Sequence, residues 1–326
     1  MLNCKAKANP GSLAEGPSLA ARRRKKQKMK LDSIVIACFK KDLHLMRICV
    51  ASIRYWYPEV DIWLLKDRFG GDFSTEEVEK NFNVRTLESP GLFHGWGFAK
   101  FEVFFTPVKR FLLLDSDTIL LGRLLGDLER FDDDFIVSGV RSEDPEEPRI
   151  IRDYINSRLC REMNPGFVYP GYGINTGQMV ITNGVITRED LEGLVTRKGG
   201  LVEEKYPNLF PYADQGVVNY VLALKKAAKQ ASVRYHDFFI WPGEERAATI
   251  DLESIRRREG IPAVLHWAGL KPLDFKQFLR LDLLLFFEDL YYRQIPGGAS
   301  KRRAREVLRL STLRLKQLKH KLLKQR

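Results

Sequence analysis

Cysteine is scarce in this chain. Cys4, Cys38, Cys49 and Cys160 stand far apart, with no Cys-x-x-Cys among them. That spacing excludes a zinc ribbon and a disulfide framework, and it suits a reducing compartment. Cys38 and Cys49 lie in apolar runs and read as buried thiols. Long apolar runs are missing too. No stretch of 18 apolar residues occurs, so no transmembrane helix is expected, and the N-terminus has no apolar signal-peptide core. A net positive charge is absent from the body. The net charge is +12, yet residues 1–30 carry +8 and residues 299–326 carry +10, leaving 31–298 at −6. A nucleic-acid enzyme of this basicity would present cations on its folded face. Here they sit in two tails, so no nucleic-acid partner is expected. The expected location is cytoplasmic, peripheral at a membrane.

What remains supports a folded enzyme or binding protein. Hydrophobic residues make up 44% and aromatics 11%, enough for a sizeable core. Residues 1–28 are rich in Ala, Gly, Pro and Ser and hold the run Arg22–Lys26. Patterned sequence begins just after Met29, so 1–30 reads as a flexible basic extension, with Met29 an alternative start. Ser33–Cys38 predicts a buried strand. Asp42–Tyr57 has helical spacing (Leu43, Met46, Val50, Ile53) and stops at Pro58. Strands follow at Val60–Leu65 and Asn83–Leu87, then a helix at Gly97–Phe105 before Pro107, then strands at Lys109–Leu114 and Phe135–Val140. Alternating strands and helices imply βαβ units and a mainly parallel sheet. Residues 141–172 read as a long excursion around one helix, Ile150–Met163. Further on, strands are expected at Gln178–Thr182, Val233–Ile240 and Ala263–Trp267. Helices are expected at Arg188–Thr196, opened by Thr187, at Asp214–Lys229 and at Asp274–Tyr292. The resulting partition is an α/β domain over 31–298 and a basic helix over 299–326.

The strongest chemical signal is Arg110-Phe111-Leu112-Leu113-Leu114-Asp115-Ser116-Asp117-Thr118. An apolar strand delivers its carboxyl end to the ligand crevice of an open α/β sheet. Two acids one residue apart then project to one side if the chain stays extended. Their mutual repulsion raises both pKa values, and a divalent cation relieves it. Carboxylate oxygens select hard ions, Mg²⁺ or Mn²⁺. The plainer alternative is that these acids only solvate a strand end.

This stretch resembles the Asp-x-Asp motif of GT-A glycosyltransferases, and the chain resembles glycosyltransferase family 8, the retaining enzymes related to glycogenin and to bacterial lipopolysaccharide galactosyl- and glucosyltransferases. Four more segments fall in the family's order: Phe98-Ala99-Lys100; Gly173-Ile174-Asn175-Thr176-Gly177; Asp214-Gln215 opening a helix; and His266-Trp267-Ala268-Gly269-Leu270-Lys271-Pro272. The late motif is one residue shorter than the family's, with Leu273 where the family has Trp. The loop Cys38-Phe39-Lys40-Lys41-Asp42 lacks the acid the family places soon after its first strand.

The resemblance implies a GT-A fold, a Mn²⁺ or Mg²⁺ ion held by Asp115, Asp117 and His266, and a nucleotide-sugar donor, a uridine diphosphate hexose. It places Ala37, Phe39, Lys100, Asp115, Ser116, Asn175, Gly177, Gly269 and Lys271 at the donor, and Asp214 and Gln215 at the transferred sugar. Each has a plainer reading. His266 could be a core histidine, Lys271 an exposed lysine, Asn175 a turn residue and Asp214 a helix N-cap. Transfer with retention is implied. An inverting enzyme would need another acid as base, for which Asp153 and Asp237 are candidates. The acceptor class is a glycan, a lipid-linked sugar or a protein.

Residues 299–326 read as a basic amphipathic helix, about 40 Å long at 1.5 Å per residue. Leu308, Leu315, Leu318 and Leu322 can share one face, which suits an anionic bilayer surface; a solvated tail is the alternative. A sugar nucleotidyltransferase is disfavoured because Cys38-Phe39-Lys40-Lys41 has no glycine for a triphosphate loop. A non-catalytic carbohydrate- or partner-binding protein of the same fold could have dispensed with the Asp, Asp and His.

Overall fold

A computed structural model of the chain describes residues 30–31, 33–69, 71–95, 97–198, 201–269 and 275–324, with the side chains of the last helix described to residue 312. The extension up to residue 29, together with Lys271, lies outside the described residues. The strands are β1 (Ser33–Phe39), β2 (Asp61–Asp67), β3 (Val84–Thr86), β4 (Arg110–Asp115), β5 (Thr118–Leu120), β6 (Phe135–Arg141), β7 (Tyr172–Thr182), β8 (Val195–Lys198), β9 (Leu201–Glu204), β10 (Val233–Tyr235), β11 (Phe239–Ile240) and β12 (Val264–His266). Four longer helices matter for the site: α1 (Leu43–Trp56), α2 (Asp214–Ala227), α3 (Leu281–Gln294) and α4 (Gly298–Lys324).

Seven strands form one sheet in the order β10-β6-β7-β4-β1-β2-β3. All neighbours are parallel except where β7 meets β4 and β6. The expected mixed, mainly parallel α/β sheet is therefore present. Its inner strands are apolar because both faces are covered. Ile34, Ile36, Leu112 and Leu114 enter one core, beneath α1 and α3. Val35, Phe111 and Leu113 enter the other, against α2. This period-two split assigns each strand residue to a face, and each fully buried aliphatic side chain is worth about 1.5–3 kcal/mol.

The chain order reverses at β1, which has β2 on one side and β4 on the other. Ala37 pairs with Asp115 at the carboxyl ends of β1 and β4, so the crevice opens where an open α/β sheet binds ligands. A second, three-stranded sheet, β11-β12-β5, sits beside it. β5 and β12 run antiparallel with Thr118 opposite His266. This register brings two segments far apart in sequence to one point.

Several boundaries differ from expectation. Gly97–Phe105 is a 3-10 helix over Phe98–Phe105, in which Lys100 donates its backbone N–H to Gly97. The stretch 150–163 is two helices, Pro148–Asp153 and Ser157–Met163, because Asn156 caps the second by accepting from the Leu159 amide at 3.2 Å. The helix after Thr187 stops at Glu192, and a β8–β9 hairpin follows. Val233–Ile240 divides between the two sheets, with β10 pairing β6 and β11 pairing β12. β7 is eleven residues long and buried throughout. The segment Gly173–Gly177 therefore lies inside a strand, where the β6–β7 register shifts between Ile174 and Met179, and Asn175 is not a turn residue. α3 starts at Leu281, seven residues later than its apolar pattern suggested.

Candidate functional site

β4 ends at Asp115, and Ser116 and Asp117 form a turn before β5. The two carboxylates are thus not on one side of an extended strand. They converge because the turn folds back: Thr118 Oγ1 donates to Asp115 O at 2.7 Å, and the Ser116 amide donates to Ala37 O at 3.1 Å. The Trp267 amide donates to Asp117 O at 3.0 Å, which holds β12 against the turn. His266 Nε2 then lies 3.2 Å from Asp117 Oδ1 and 3.8 Å from Asp115 Oδ2. One ligand atom from each of the three residues falls within 4.8 Å of the others.

Gly177 makes this approach feasible. A Cβ at that position would stand 2.0 Å from His266 Cε1 and 2.9 Å from Asp115 Oδ2. His266 Nδ1 faces Gln178 Oε1, an acceptor, at 2.9 Å, so Nδ1 carries a hydrogen and Nε2 is the ring nitrogen turned toward the carboxylates. Two carboxylate oxygens and an imidazole nitrogen suit Mn²⁺ or Mg²⁺. The residues present fit a divalent cation.

Lys100 lies buried on the other side of Asp115. Its Nζ is 3.2 Å from Asp115 Oδ2, 2.8 Å from Asp214 Oδ2 and 3.2 Å from Thr176 Oγ1. Burial works against its charge, but Asp115 and Asp214 outweigh that and hold the ammonium well above the ordinary lysine value. Asp115 is displaced upward, chiefly by burial; Lys100 opposes the shift and Asp117 reinforces it. Asp115, Asp117 and Asp214 together carry more negative charge than Lys100 cancels, which leaves a place for added positive charge.

Asp214 is the first residue of α2, and Ala213 is the N-cap. The plainer reading of Asp214 as a helix N-cap does not hold: its carboxylate accepts from Thr176 Oγ1 at 2.8 Å and pairs with Lys100. Tyr212 and Ala213 precede it with φ of 54° and 51°, a left-handed conformation that non-glycine residues hold only under constraint. Gln215 is half-buried. Its Nε2 donates to Asp153 O at 2.6 Å, and its Oε1 accepts from the Thr176 amide at 3.4 Å. Asn175 Oδ1 accepts from the Gly177 amide at 2.9 Å. Gly269 takes φ 72°. Of the alternative acids, Asp237 is gripped by Arg246 at 2.8 Å and Asp153 by Arg152 at 2.7 Å.

A cavity of about 130 Å³ joins Ala37, Phe39, Lys100, Asp115, Ser116 and Asp117. Asn175, Gly177, Asp214, Gln215, His266 and Gly269 are not part of its lining. Asp42, Leu65, Asp67 and Gly97 also line it; Asp42 is an acid in the loop read from sequence as lacking one, and none of the four was named as a site residue. Asp67 is an acid at the tip of β2, and that position was its signal. Gly97 has φ 83°, and a Cβ there would meet Asp214 Oδ1 at 2.1 Å. Gln178 is the other omission, an amide inside an apolar run.

No family model and no curated sequence matches the chain. Solved structures do match. The galactosyltransferase LgtC, determined in complex with donor and acceptor sugar analogs, aligns with a TM-score of 0.53 at 15% identity, over 81% of this chain and 97% of its own. The bifunctional glycosyltransferase WbbM aligns with a TM-score of 0.52 at 12% identity, over 84% of this chain and 51% of its own. At such identity the likeness is one of fold: the chain has the GT-A glycosyltransferase fold.

Proposed function

We propose that this chain is a metal-dependent glycosyltransferase that moves a hexose from a uridine diphosphate sugar to a glycan, lipid-linked or protein acceptor with retention of configuration. The observation that carries this reading is the convergence of Asp115, Asp117 and His266 beside Lys100, at the carboxyl ends of β1 and β4. Fold likeness alone would not suffice.

Asp115, Asp117 and His266 would hold the cation. A bound Mn²⁺ or Mg²⁺ ion would supply Lewis-acid stabilisation of the departing diphosphate, worth several kcal/mol. Ala37, Phe39 and Ser116 border the cavity and would contact the nucleotide. Gly269, with Lys271, would meet the diphosphate through backbone amides and an ammonium. Lys100 is held rigid by its partners and would balance donor oxygens without reorganising. Asp214 would accept hydrogen bonds from donor-sugar hydroxyls, and Gln215 would lie under the anomeric carbon. Gln215 is an amide with its nitrogen committed to Asp153, a poor nucleophile. Front-face displacement, with the acceptor proton passing to the leaving phosphate, therefore fits better than a covalent intermediate. NMR of the first product is expected to show the donor's anomeric configuration; the opposite anomer contradicts it. Hydrolysis of UDP-sugar is expected to require Mn²⁺ and to fall at least about 10³-fold in Asp117→Ala, following the several kcal/mol of Lewis-acid assistance.

The proposed docking surface for α4 is an anionic membrane. No described helix is long and apolar enough to cross a bilayer. α4 turns Arg302 and Arg305 inward onto Glu288, and Arg302 also onto Asp289 at 3.0 Å. Val307 and Leu308 are left 64% and 68% exposed. With +10 on residues 299–326, pairing two such helices would be repulsive, whereas anionic headgroups match the charge. The full chain should sediment with phosphatidylglycerol vesicles and not with phosphatidylcholine alone. Leu308→Glu should weaken that binding about tenfold or more, since burying one leucine is worth about 1.5–3 kcal/mol. Equal binding to both vesicles contradicts the assignment.

A further inference from the structure

β7 is an interior strand, and Met179, Val180 and Ile181 are what such a strand requires. Gln178 is not. It is fully buried and stands opposite Leu114 in the β4–β7 register. Its Nε2 has no hydrogen-bond partner among the described residues. A buried amide left half-bonded disfavours the fold, so an apolar residue would serve the strand better.

What the amide does is accept a hydrogen bond from His266. A carboxamide oxygen only accepts, so with Gln178 Oε1 at 2.9 Å from Nδ1 the neutral imidazole carries its hydrogen on Nδ1. The lone pair is then on Nε2, facing Asp117 Oδ1 and Asp115 Oδ2 at 3.2 and 3.8 Å. A lone pair turned toward two carboxylates is repulsive by itself and favourable with a cation among them. The other tautomer would put an N–H where the cation belongs.

We propose that Gln178 is a positioning residue that locks His266 in its metal-binding tautomer, at the expense of the stability of the metal-free fold. The inference rests on the reading of Asp115, Asp117 and His266 as a metal site. Partners that orient a ligating histidine typically contribute about 10–100-fold in metal affinity.

The test titrates Mn²⁺ into the full chain and follows free Mn²⁺ by electron paramagnetic resonance. Gln178→Leu should bind about 10–100-fold more weakly than wild type, whereas Gln178→Glu, which keeps an acceptor at the same place, should restore most of the affinity. In chelator, Gln178→Leu should melt at or above the wild-type temperature. Nitrogen-15 shifts of His266 in the metal-free protein should report an Nδ1–H tautomer in wild type that is lost in Gln178→Leu. Wild-type affinity in Gln178→Leu overturns the proposal. So does equal weakening in both variants, which makes the acceptor immaterial, or a metal-free Gln178→Leu that melts well below wild type, which makes the amide a stabilising group of the fold. If wild type itself fails to bind Mn²⁺, the metal-site reading falls, and this inference with it.

Discussion

Gly177 lacks a side chain because His266 needs the space. The clash of 2.0 Å at Gly177→Ala is expected to push the imidazole from the carboxylates. Overpacking of this kind costs about 1–3 kcal/mol. The melting temperature should therefore drop, and Mn²⁺ should no longer raise it. A variant that Mn²⁺ still stabilises like wild type would show that the approach is not needed. Lys100 carries a second expectation. Lys100→Met removes the cation from the buried Asp214 and the half-buried Asp115, and stranding a buried charge costs about 3–5 kcal/mol; denaturant unfolding measures it. At this scale Asp115, Asp117, Lys100 and His266 were legible because each sits in a short motif. Gln178 and Asp67 were not. Their identity matters only once strands are paired, and a one-dimensional pattern does not show which neighbours a strand tip will meet.

Among the elements, strands and helices with strong periodicity were readable from sequence, and β7 shows where reading stopped. Gly173 and Gly177 suggested a turn. In the structure a Cβ on Gly173 would stand 2.3 Å from Tyr154 Cγ, so this glycine admits a neighbour, and the segment between Ile174 and Met179 lies within the strand at a shift of the β6–β7 register. β5 was missed because three residues carry no period. The attachment of α4 was equally invisible, since it depends on Glu77, Glu288 and Asp289. Glu77 accepts from Lys301 Nζ at 2.6 Å and Tyr291 Oη at 2.7 Å, with Arg47 at 3.2 Å. Burial would raise its pKa, but these partners outweigh burial and hold it below the ordinary value of 4.5. A depressed carboxylate contributes stability above its unfolded value, and the contribution vanishes as pH falls through the folded value. The melting-temperature gap between wild type and Glu77→Gln should therefore be full above pH 4.5 and close below it. A gap independent of pH would contradict this.

On the scale of the whole molecule, charge and topology divide the work. The body is acidic and its crevice more so, while cations are concentrated in the terminal segments. On the proposed function such a crevice requires added positive charge before it accepts a diphosphate, and the β5–β12 register brings Asp117 and His266 together to hold it. Thermal unfolding of the full chain with UDP, in the presence and absence of Mn²⁺, measures this most directly. Ligand at 100 times its Kd adds about 2.7 kcal/mol to stability. UDP is expected to raise the melting temperature only when Mn²⁺ is present, and Asp117→Ala is expected to abolish the rise. Equal stabilisation by UDP without metal, or an unchanged response in Asp117→Ala, would contradict it.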